Sequence, residues 1–181
     1  MEWFIPGTVL KADRAAAVDQ LFSAMFLGGG IVLSQVTGIT GLEAYTVQNW
    51  VKRGFLSPPE RKHYSLEQLC RIININMLKN VLPMERIVGL LSYINGDLDD
   101  ESDDIIGDSQ LYFMFVRLAA QSRMMNTPQG RDECIAKELA DYREPVPGAK
   151  ERVAKVLTIM LTAWASAQLR LAAEQMLQEL N

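Results

Sequence analysis

Residues 46–64 read TVQNWVKRGFLSPPERKHY, and the rest of the chain can be interpreted around them. The stretch begins with a short helical segment, Thr46 to Arg53, whose outer face is polar and basic. Gly54 ends that helix, an apolar corner and two prolines follow, and a basic loop over residues 58–64, the wing, leads into another helix. Such an order favours a winged helix-turn-helix, in which one helix enters the DNA major groove while the loop holds phosphates.

The same stretch resembles the DNA-binding segment of MerR-type regulators. TVQNWVKRGFL is similar to their recognition helix, and RKHYSLEQL is similar to their wing and the start of the next helix. The resemblance is closer to a MerR-like bacterial family of unknown function, numbered 1836, which shares a VQNWVK-like core, a short proline-led wing and an INMLK-like helix. In this sequence the three motifs lie at Val47 to Lys52, Pro58 to Tyr64 and Ile75 to Lys79. The resemblance covers residues 30–115.

This resemblance implies a DNA-binding transcriptional regulator, although the sequence departs from the MerR pattern in two places. MerR wings are longer and carry a Gly-Tyr of their own. Fewer residues also separate their first turn glycine from the threonine of the recognition helix. Either Gly38 or Gly41 could supply the turn here, and the sequence leaves both possibilities open.

The predicted recognition helix runs over residues 42–53, after a scaffold helix over residues 31–37. Thr40 and Glu43 have the spacing of a capping box, which would determine where the recognition helix begins. Helical periodicity places one side of this helix against the core. The expected inward positions are Val47, Trp50 and Val51.

Seven side chains of the recognition helix and the wing are candidates for DNA contact. Asn and Gln pair with adenine and Arg and Lys with guanine, so the helix could read bases. Its candidates are Gln48, Asn49, Lys52 and Arg53. The wing candidates for phosphate contact are Arg61, Lys62 and His63. The expected structural residues of the motif are Val47, Trp50, Gly54, Phe55 and Tyr64. The alternative for the helix is an ordinary solvated polar face.

Charge is distributed unevenly along the chain. The formal net charge is −4, which is unusual for a nucleic-acid-binding protein. Residues 31–80, however, carry a net +3, whereas residues 97–108 carry seven carboxylates and no basic side chain. This uneven distribution of charge is more informative about possible binding partners than the net charge of the whole chain. A single copy is expected to bind phosphates weakly, and a dimer would double the positive charge.

The N-terminal residues 1–30 are predicted to form a helical arm. Apolar spacing over residues 11–27 predicts a helix, which Gly28, Gly29 and Gly30 end. A phosphate-binding loop at these glycines would require a following Lys-Ser/Thr, which the sequence lacks. A simple helix stop is therefore favoured.

Two further helices are predicted to complete a domain over residues 31–96. Ser65 and Gln68 have capping-box spacing at the start of a helix over residues 66–79. A second helix is expected over residues 83–95, because a proline begins it and an Asn-Gly pair ends it.

The acidic run over residues 97–108 is predicted to be a linker between two lobes. Its carboxylates can also offset the dipole of the helix that follows. A calcium loop is the alternative, but Ser102 stands where such a loop has glycine and no glutamate stands at its last position.

Residues 109–181 are predicted to form a C-terminal helical lobe. Residues 109–125 are apolar on nearly all sides and should be buried. Methionines in this region could line a pocket for a small apolar effector or could simply belong to the core. These methionines are Met114, Met124 and Met125.

Two more helices are expected in this lobe, over residues 131–142 and 149–180. The second would span roughly 45 Å, which is longer than a small lobe requires. It could pack across a partner subunit, as the long helices of MerR-type dimers do. The sequence therefore predicts a homodimer.

The fold class expected from these patterns is all-α, with a MerR-like winged helix-turn-helix followed by a helical lobe. The expected partner is double-stranded DNA. The alternative is a regulatory adaptor that uses the same surface to bind a protein.

The chain has one histidine, two separated cysteines and no paired carboxylates in an apolar setting. We therefore expect neither an enzyme nor a metal or cofactor site. The sequence has no uncharged run of about 18 apolar residues, so no membrane span is expected. Its N-terminus lacks the basic start of a signal peptide and its two cysteines suit a reducing compartment, so a cytoplasmic protein is expected.

Overall fold

The computed structural model describes residues 3–96, 98, 103–121 and 127–180, and these residues form a mostly helical chain. The helices are α1 (Val18–Met25), α2 (Leu33–Thr40), α3 (Ala44–Lys52), α4 (Leu66–Leu78), α5 (Met84–Asn95), α6 (Asp108–Ala119), α7 (Pro128–Glu138) and α8 (Ala149–Gln178). Two antiparallel strand pairs accompany them: β1 (Trp3–Phe4) with β2 (Lys11–Ala12), and β3 (Ile31–Val32) with β4 (His63–Tyr64). The helical class is confirmed, with these two small sheets added.

The predicted helical arm over residues 1–30 is wrong in its first half. The described residues before α1 form a hairpin and a short 3-10 turn, Ala15–Ala17, so the helix begins at Val18 rather than at residue 11. A hairpin forms here because residues of the core bind its turn. Tyr112 donates a hydrogen bond to the Pro6 carbonyl at 2.9 Å, and Asn76 donates one to the Gly7 carbonyl at 3.0 Å. Tertiary contacts thus override helix propensity here.

The link between α2 and α3 resolves which glycine makes the turn. Gly41 ends α2 with a φ of +69°, a conformation that glycine adopts without strain, whereas Gly38 lies inside the helix. The predicted capping box at Thr40 is wrong. Thr40 is the last residue of α2, and its hydroxyl donates to the Val36 carbonyl at 2.8 Å. Helix α3 therefore begins at Ala44, later than predicted.

Helix α4 lies at the centre of the fold. Its predicted cap is confirmed, because the Ser65 hydroxyl accepts a hydrogen bond from the Gln68 amide at 3.1 Å and the Gln68 side chain accepts one from the Ser65 amide at 2.9 Å. Nine of its thirteen residues are buried. A helix buried on most sides must pack against several neighbours, and α4 contacts α2, α5, α6 and α8.

Helices α6 and α8 pack directly on α4, so apolar residues from both sides of residues 97–108 join one core. Met114 and Phe115 of α6 are buried in that core, which favours the core interpretation of the apolar segment. Met124 and Met125 lie outside the described residues. The helix predicted over residues 131–142 begins earlier: the hydroxyl of Thr127 caps α7 and Pro128 occupies its first turn.

Four of the seven carboxylates of the acidic run lie outside the described residues, but Asp108 is not part of a solvated linker. It is the first residue of α6, is buried, and forms a salt bridge with Arg71 of α4, with Arg71 Nη1 3.1 Å from Asp108 Oδ2. Burial raises the pKa of the Asp108 carboxyl, and the Arg71 guanidinium opposes that rise. This pair joins α4 to α6 inside the core.

Both cysteines are free and buried, as a chain without a disulfide framework predicts. Burial, with a smaller contribution from Glu67 and Asp108, raises the pKa of the Cys70 thiol well above its usual range. The thiol therefore stays protonated, and Cys70 acts as a small apolar side chain in the core.

The last part of α8 extends beyond the rest of the chain. Its buried residues end at Ala163, and several large apolar side chains after it are exposed. These are Leu169, Leu171, Met176 and Leu177, with Leu180 just past the helix. The helix is long and apolar enough to cross a membrane by length and composition alone, and 28% of its most apolar stretch is buried within the chain. One helix of this kind is weak evidence for a membrane span, because core helices of soluble proteins share these properties, so the sequence-based expectation stays a prediction.

The buried pair leads to a prediction about stability. Replacing Asp108 with Ala leaves the Arg71 charge buried without its partner, so the free energy of unfolding should fall by about 3–5 kcal/mol. Urea unfolding followed by circular dichroism measures this. The double variant Arg71→Met, Asp108→Leu should recover most of the loss, because an apolar pair of similar volume needs no charge compensation.

Exposed Asp132 of α7 provides the control. Its replacement with Ala should change the free energy of unfolding by less than about 0.5 kcal/mol. A loss of the same small size in Asp108→Ala would contradict a structural role for the buried pair.

Candidate nucleic-acid interface

Helix α3 separates into a buried side and an exposed side. Val47 and Trp50 are buried against the core, and Val51 is half-buried. The candidate base-reading residues are all exposed: Gln48, Asn49, Lys52 and Arg53. Their spacing of i, i+1, i+4 and i+5 places them on one face of the helix, away from the core. The structure thus leaves this face open to solvent in the single chain.

The corner after α3 fixes the direction in which the chain leaves the helix. Gly54 has a φ of +70°, and the Phe55 amide donates a hydrogen bond back to the Trp50 carbonyl at 2.9 Å. This is the left-handed helix end that glycine favours. Leu56 is then buried, which ties the corner to the core.

Arg53 is held at the end of α3 by two neighbours. Its guanidinium lies 4.4 Å from the centre of the Phe55 ring, and its Nη2 lies 3.4 Å from Glu85 Oε1 of α5. Both members of the ion pair are largely exposed, so its contribution to stability is small. Nothing in the sequence pointed to Glu85, because it is 32 residues from Arg53 along the chain.

The wing folds back on itself in a tight turn. The His63 amide donates a hydrogen bond to the Glu60 carbonyl at 2.8 Å, and the two residues between them, Arg61 and Lys62, have φ values of +48° and +69°. Positive φ at both central positions is the pattern of a type I′ turn, which strongly prefers Asn-Gly. Two bulky cations at these positions are strained, and both side chains are exposed.

The base of the wing is fixed more firmly than its tip. Tyr64 is buried and pairs with Ile31 of β3, as its predicted anchoring role requires. His63 is exposed, and its Nδ1 lies 3.0 Å from the Arg61 carbonyl oxygen. Gly30 allows the close approach of the two strands, since a Cβ there would lie 2.8 Å from the Cβ of His63.

The wing and α3 share one surface depression of about 560 Å³. Gln48 and Val51 line it from α3, whereas Pro59, Lys62 and Tyr64 line it from the wing side. Two residues of the candidate set, Gln48 and Lys62, are therefore brought together although they are far apart in sequence. Arg61 and His63 lie on the same wing, and Asn49, Lys52 and Arg53 lie further around α3.

Comparison with known proteins covers the same part of the chain. Residues 30–115 match the model of a family described as Domain of unknown function (DUF1836). The numbered family is supported for this segment. The matched segment includes α2, α3, the wing, α4, α5 and most of α6.

One curated relative has a similar segment. "Uncharacterized protein YkrK" from Bacillus subtilis (strain 168) is 31% identical over 86 residues, which make up 45% of this chain and 37% of that protein. The chain thus matches little more than a third of the length of this relative. No solved structure matches the chain.

The strained turn of the wing leads to a prediction. The double variant Arg61→Asn, Lys62→Gly should raise the free energy of unfolding by about 1 kcal/mol, because Asn-Gly fits the two positive φ values. Thermal or urea unfolding measures this. The variant Arg61→Ala, Lys62→Ala removes the same charges without fitting the turn and should not be stabilised. Equal stability of the two variants would contradict the turn geometry.

Proposed function

We propose that the protein is a DNA-binding transcriptional regulator with a MerR-like winged helix-turn-helix. The observation that carries this proposal is the exposed Arg61–Lys62 tip in strained backbone conformations, beside the polar face of α3. Strained positions persist where the surrounding structure holds them, and they are concentrated at binding sites. Two cations projecting from a turn that favours Asn-Gly suggest selection for charge rather than for stability.

In this mechanism α3 enters the major groove. Gln48 and Asn49 would pair with adenine edges, and Lys52 with guanine. Arg53 is part of the same face, but it must exchange Glu85 for a base or a phosphate. That exchange requires little free energy because the ion pair is exposed.

The wing would hold the DNA backbone. Arg61, Lys62 and His63 are exposed on one short turn, and Tyr64 fixes that turn to the core. Phosphate contacts of this kind orient a protein on the duplex without reading its sequence. The wing and α3 would therefore have separate tasks, positioning and base recognition.

A homodimer is the second part of the proposal. Residues 31–80 of one copy carry only a net +3, so two copies would bind DNA far better than one. The exposed end of α8 offers a contact, because Leu169 and Met176 lie on one side of the helix and Leu180 follows in the turn just past its end. Two such helices packed together would bury these side chains and set the spacing of two half-sites.

A protein-binding adaptor is the alternative, and one observation favours it. The depression between α3 and the wing is lined mainly by apolar side chains, including Val32, Leu33 and Val51. Tyr45 nearby on α3 is 71% exposed. Aromatic and aliphatic groups of this kind also serve protein interfaces. The two functions differ in their dependence on salt, because phosphate binding releases counterions.

DNA binding is predicted to be salt-dependent. Affinity for mixed-sequence duplex DNA, measured by fluorescence anisotropy, should fall steeply as the salt concentration rises. Arg61→Ala, Lys62→Ala should weaken binding to all sequences and reduce the slope of log K against log[salt] by about 2, because each phosphate contact contributes about 0.9. Asn49→Ala should instead change the preferred sequence in a selection from random duplexes.

The control for charge is Lys137→Ala, Lys155→Ala, which removes the same net charge from exposed positions on α7 and α8. Its affinity and salt slope should remain those of the unmodified protein. The regulator proposal fails if the unmodified protein binds no DNA at low salt, or binds it without salt dependence. Recovery of one defined protein partner in that case would support the adaptor.

The dimer is predicted to depend on the end of α8. Leu169→Glu, Met176→Glu should convert a dimer into a monomer in sedimentation or light-scattering measurements, because four carboxylates would meet in the contact. Gln175→Glu, Gln178→Glu adds the same charge on the opposite side of the helix and should remain dimeric. A monomeric unmodified protein, or one recovered with membranes, would contradict this role of α8.

A further inference from the structure

The end of α2 is capped by residues that are distant from it in the sequence. A helix leaves its last four carbonyl groups without partners inside the helix, and buried carbonyl groups are costly unless a donor reaches them. Ile39 and Thr40 end α2, and both are buried. The Val9 amide donates to the Ile39 carbonyl at 2.9 Å, and Asn76 Nδ2 donates to the Thr40 carbonyl at 3.0 Å. Neither donor lies on α2 or α3.

Val9 belongs to the N-terminal hairpin, and Asn76 fixes that hairpin to the same place. The hairpin consists of β1, β2 and the turn between them, residues 3–12. Asn76 Nδ2 also donates to the Gly7 carbonyl at 3.0 Å, so one amide group binds the turn of the hairpin and the end of α2 together. The packing is close, because a Cβ at Gly41 would lie 2.8 Å from Cγ1 of Val9. The hairpin therefore lies directly against the turn between α2 and α3.

This turn determines where α3 begins. Gly41 ends α2 and Ala44 begins α3, so only residues 41–43 separate the two helices. A link this short transmits a displacement of the end of α2 to the start of α3. The other end of α3 is held separately, since Arg71 Nε donates to the Phe55 carbonyl at 3.1 Å just past it. The hairpin and Arg71 thus hold opposite ends of α3.

The wing has supports of its own. Tyr64 pairs with Ile31 of β3. Gln68 Nε2 of α4 donates to the carbonyls of Ser57 and Pro58 at 3.0 Å each. These contacts come from β3 and α4, so a change at the hairpin can move α3 without releasing the wing.

The end of α3 that the hairpin holds is the end at which a helix-turn-helix contacts base edges. Hydrogen bonds to bases tolerate a range of only about 0.5 Å between donor and acceptor. Long cationic side chains on flexible stems adapt more readily to a displaced phosphate. A displaced α3 would thus lose base recognition before the wing lost phosphate binding. This difference separates a positioning element from one that only stabilises the fold.

We propose that the N-terminal hairpin is a positioning element for α3, acting through Val9 and Asn76, and that base selectivity depends on it. The first part concerns the chain alone and is measured without DNA. The second part rests on the proposed function, because it requires that α3 reads bases. Residues 3–12 lie outside the segment that matches the family model, so this role belongs to a part of the chain that the comparison does not cover.

Two variants loosen the contact from different sides. Asn76→Leu keeps a side chain of similar size and removes both hydrogen bonds. Gly7→Ala leaves Asn76, α2 and α3 unaltered but adds a Cβ 2.8 Å from Ile73 Cγ2 and 2.9 Å from the Ile73 carbonyl oxygen, so the hairpin must shift. The control is Ile135→Ala, which removes a buried side chain from α7 and destabilises the fold without a change at the hairpin. Circular dichroism establishes that each protein is folded.

Hydrogen exchange followed by mass spectrometry tests the position of α3. The hairpin variants and the control are compared at urea concentrations that give them equal free energies of unfolding. Amides of residues 41–53 should exchange about tenfold faster in both hairpin variants than in the control, because the lost hydrogen bonds lower the cost of local opening. Residues 58–64 should exchange alike in all three proteins. Equal exchange of residues 41–53 in the variants and the control would overturn the proposal.

The consequence for DNA is measured with two duplexes, one selected by the unmodified protein from random sequences and one of mixed sequence. In both hairpin variants the ratio of the two affinities should fall by about tenfold, because the loss of one good base contact has about that effect. Affinity for the mixed-sequence duplex and its dependence on salt should stay within about twofold of the control, because the wing keeps its phosphate contacts.

The outcomes distinguish this proposal from the proposed function. Absence of DNA binding by the unmodified protein would refute the regulator, and the exchange measurement would still decide whether the hairpin positions α3. DNA binding with an unaltered affinity ratio in both hairpin variants would leave the regulator standing and refute the role of the hairpin in base selectivity.

Discussion

The buried contact of Arg71 with Asp108 is the interaction on which the rest of the structure depends. The same guanidinium donates to the Phe55 carbonyl at 3.1 Å and to the Asp108 carboxylate at 3.1 Å. It thereby joins the corner after α3, the central helix α4 and the start of α6. A charge removed from water this completely must be compensated, so these three elements cannot separate without a large loss of free energy. The candidate interface and the C-terminal helices therefore form one unit.

Local signals explain the elements that could be predicted. Ser65 and Gln68 cap α4 by hydrogen bonds within four residues, and the glycine and prolines around the wing act on the backbone directly. The hairpin of residues 3–12 was missed because distant residues of α4 and α6 hold it. The start of α3 was missed because Thr40 satisfies the preceding helix instead of the following one.

The candidate interface likewise has features that the sequence predicted and features that it did not. Helical spacing was enough to place Val47 and Trp50 inside and Gln48 and Asn49 outside, since periodicity determines faces. Contacts between distant segments carried no such signal. The Glu85 partner of Arg53 and the contact of Asn76 with both the hairpin and α2 arise from packing of segments far apart in sequence. The Asp108 carboxylate appeared to be one of many in an acidic run, and only its burial distinguishes it.

The contact between the hairpin and α6 has a consequence for folding during synthesis. Pro6 and Tyr112 are separated by 106 residues, and ribosomes add about 5–20 residues per second. The first hairpin of the chain therefore emerges roughly 5–20 s before its partner on α6 exists. Until then Ile5, which is fully buried in the finished structure, can be covered only by earlier elements such as α4, whose Asn76 binds the turn of the hairpin. The hairpin thus presents apolar surface that is only partly covered while α6 is being made, and such surface is prone to aggregation.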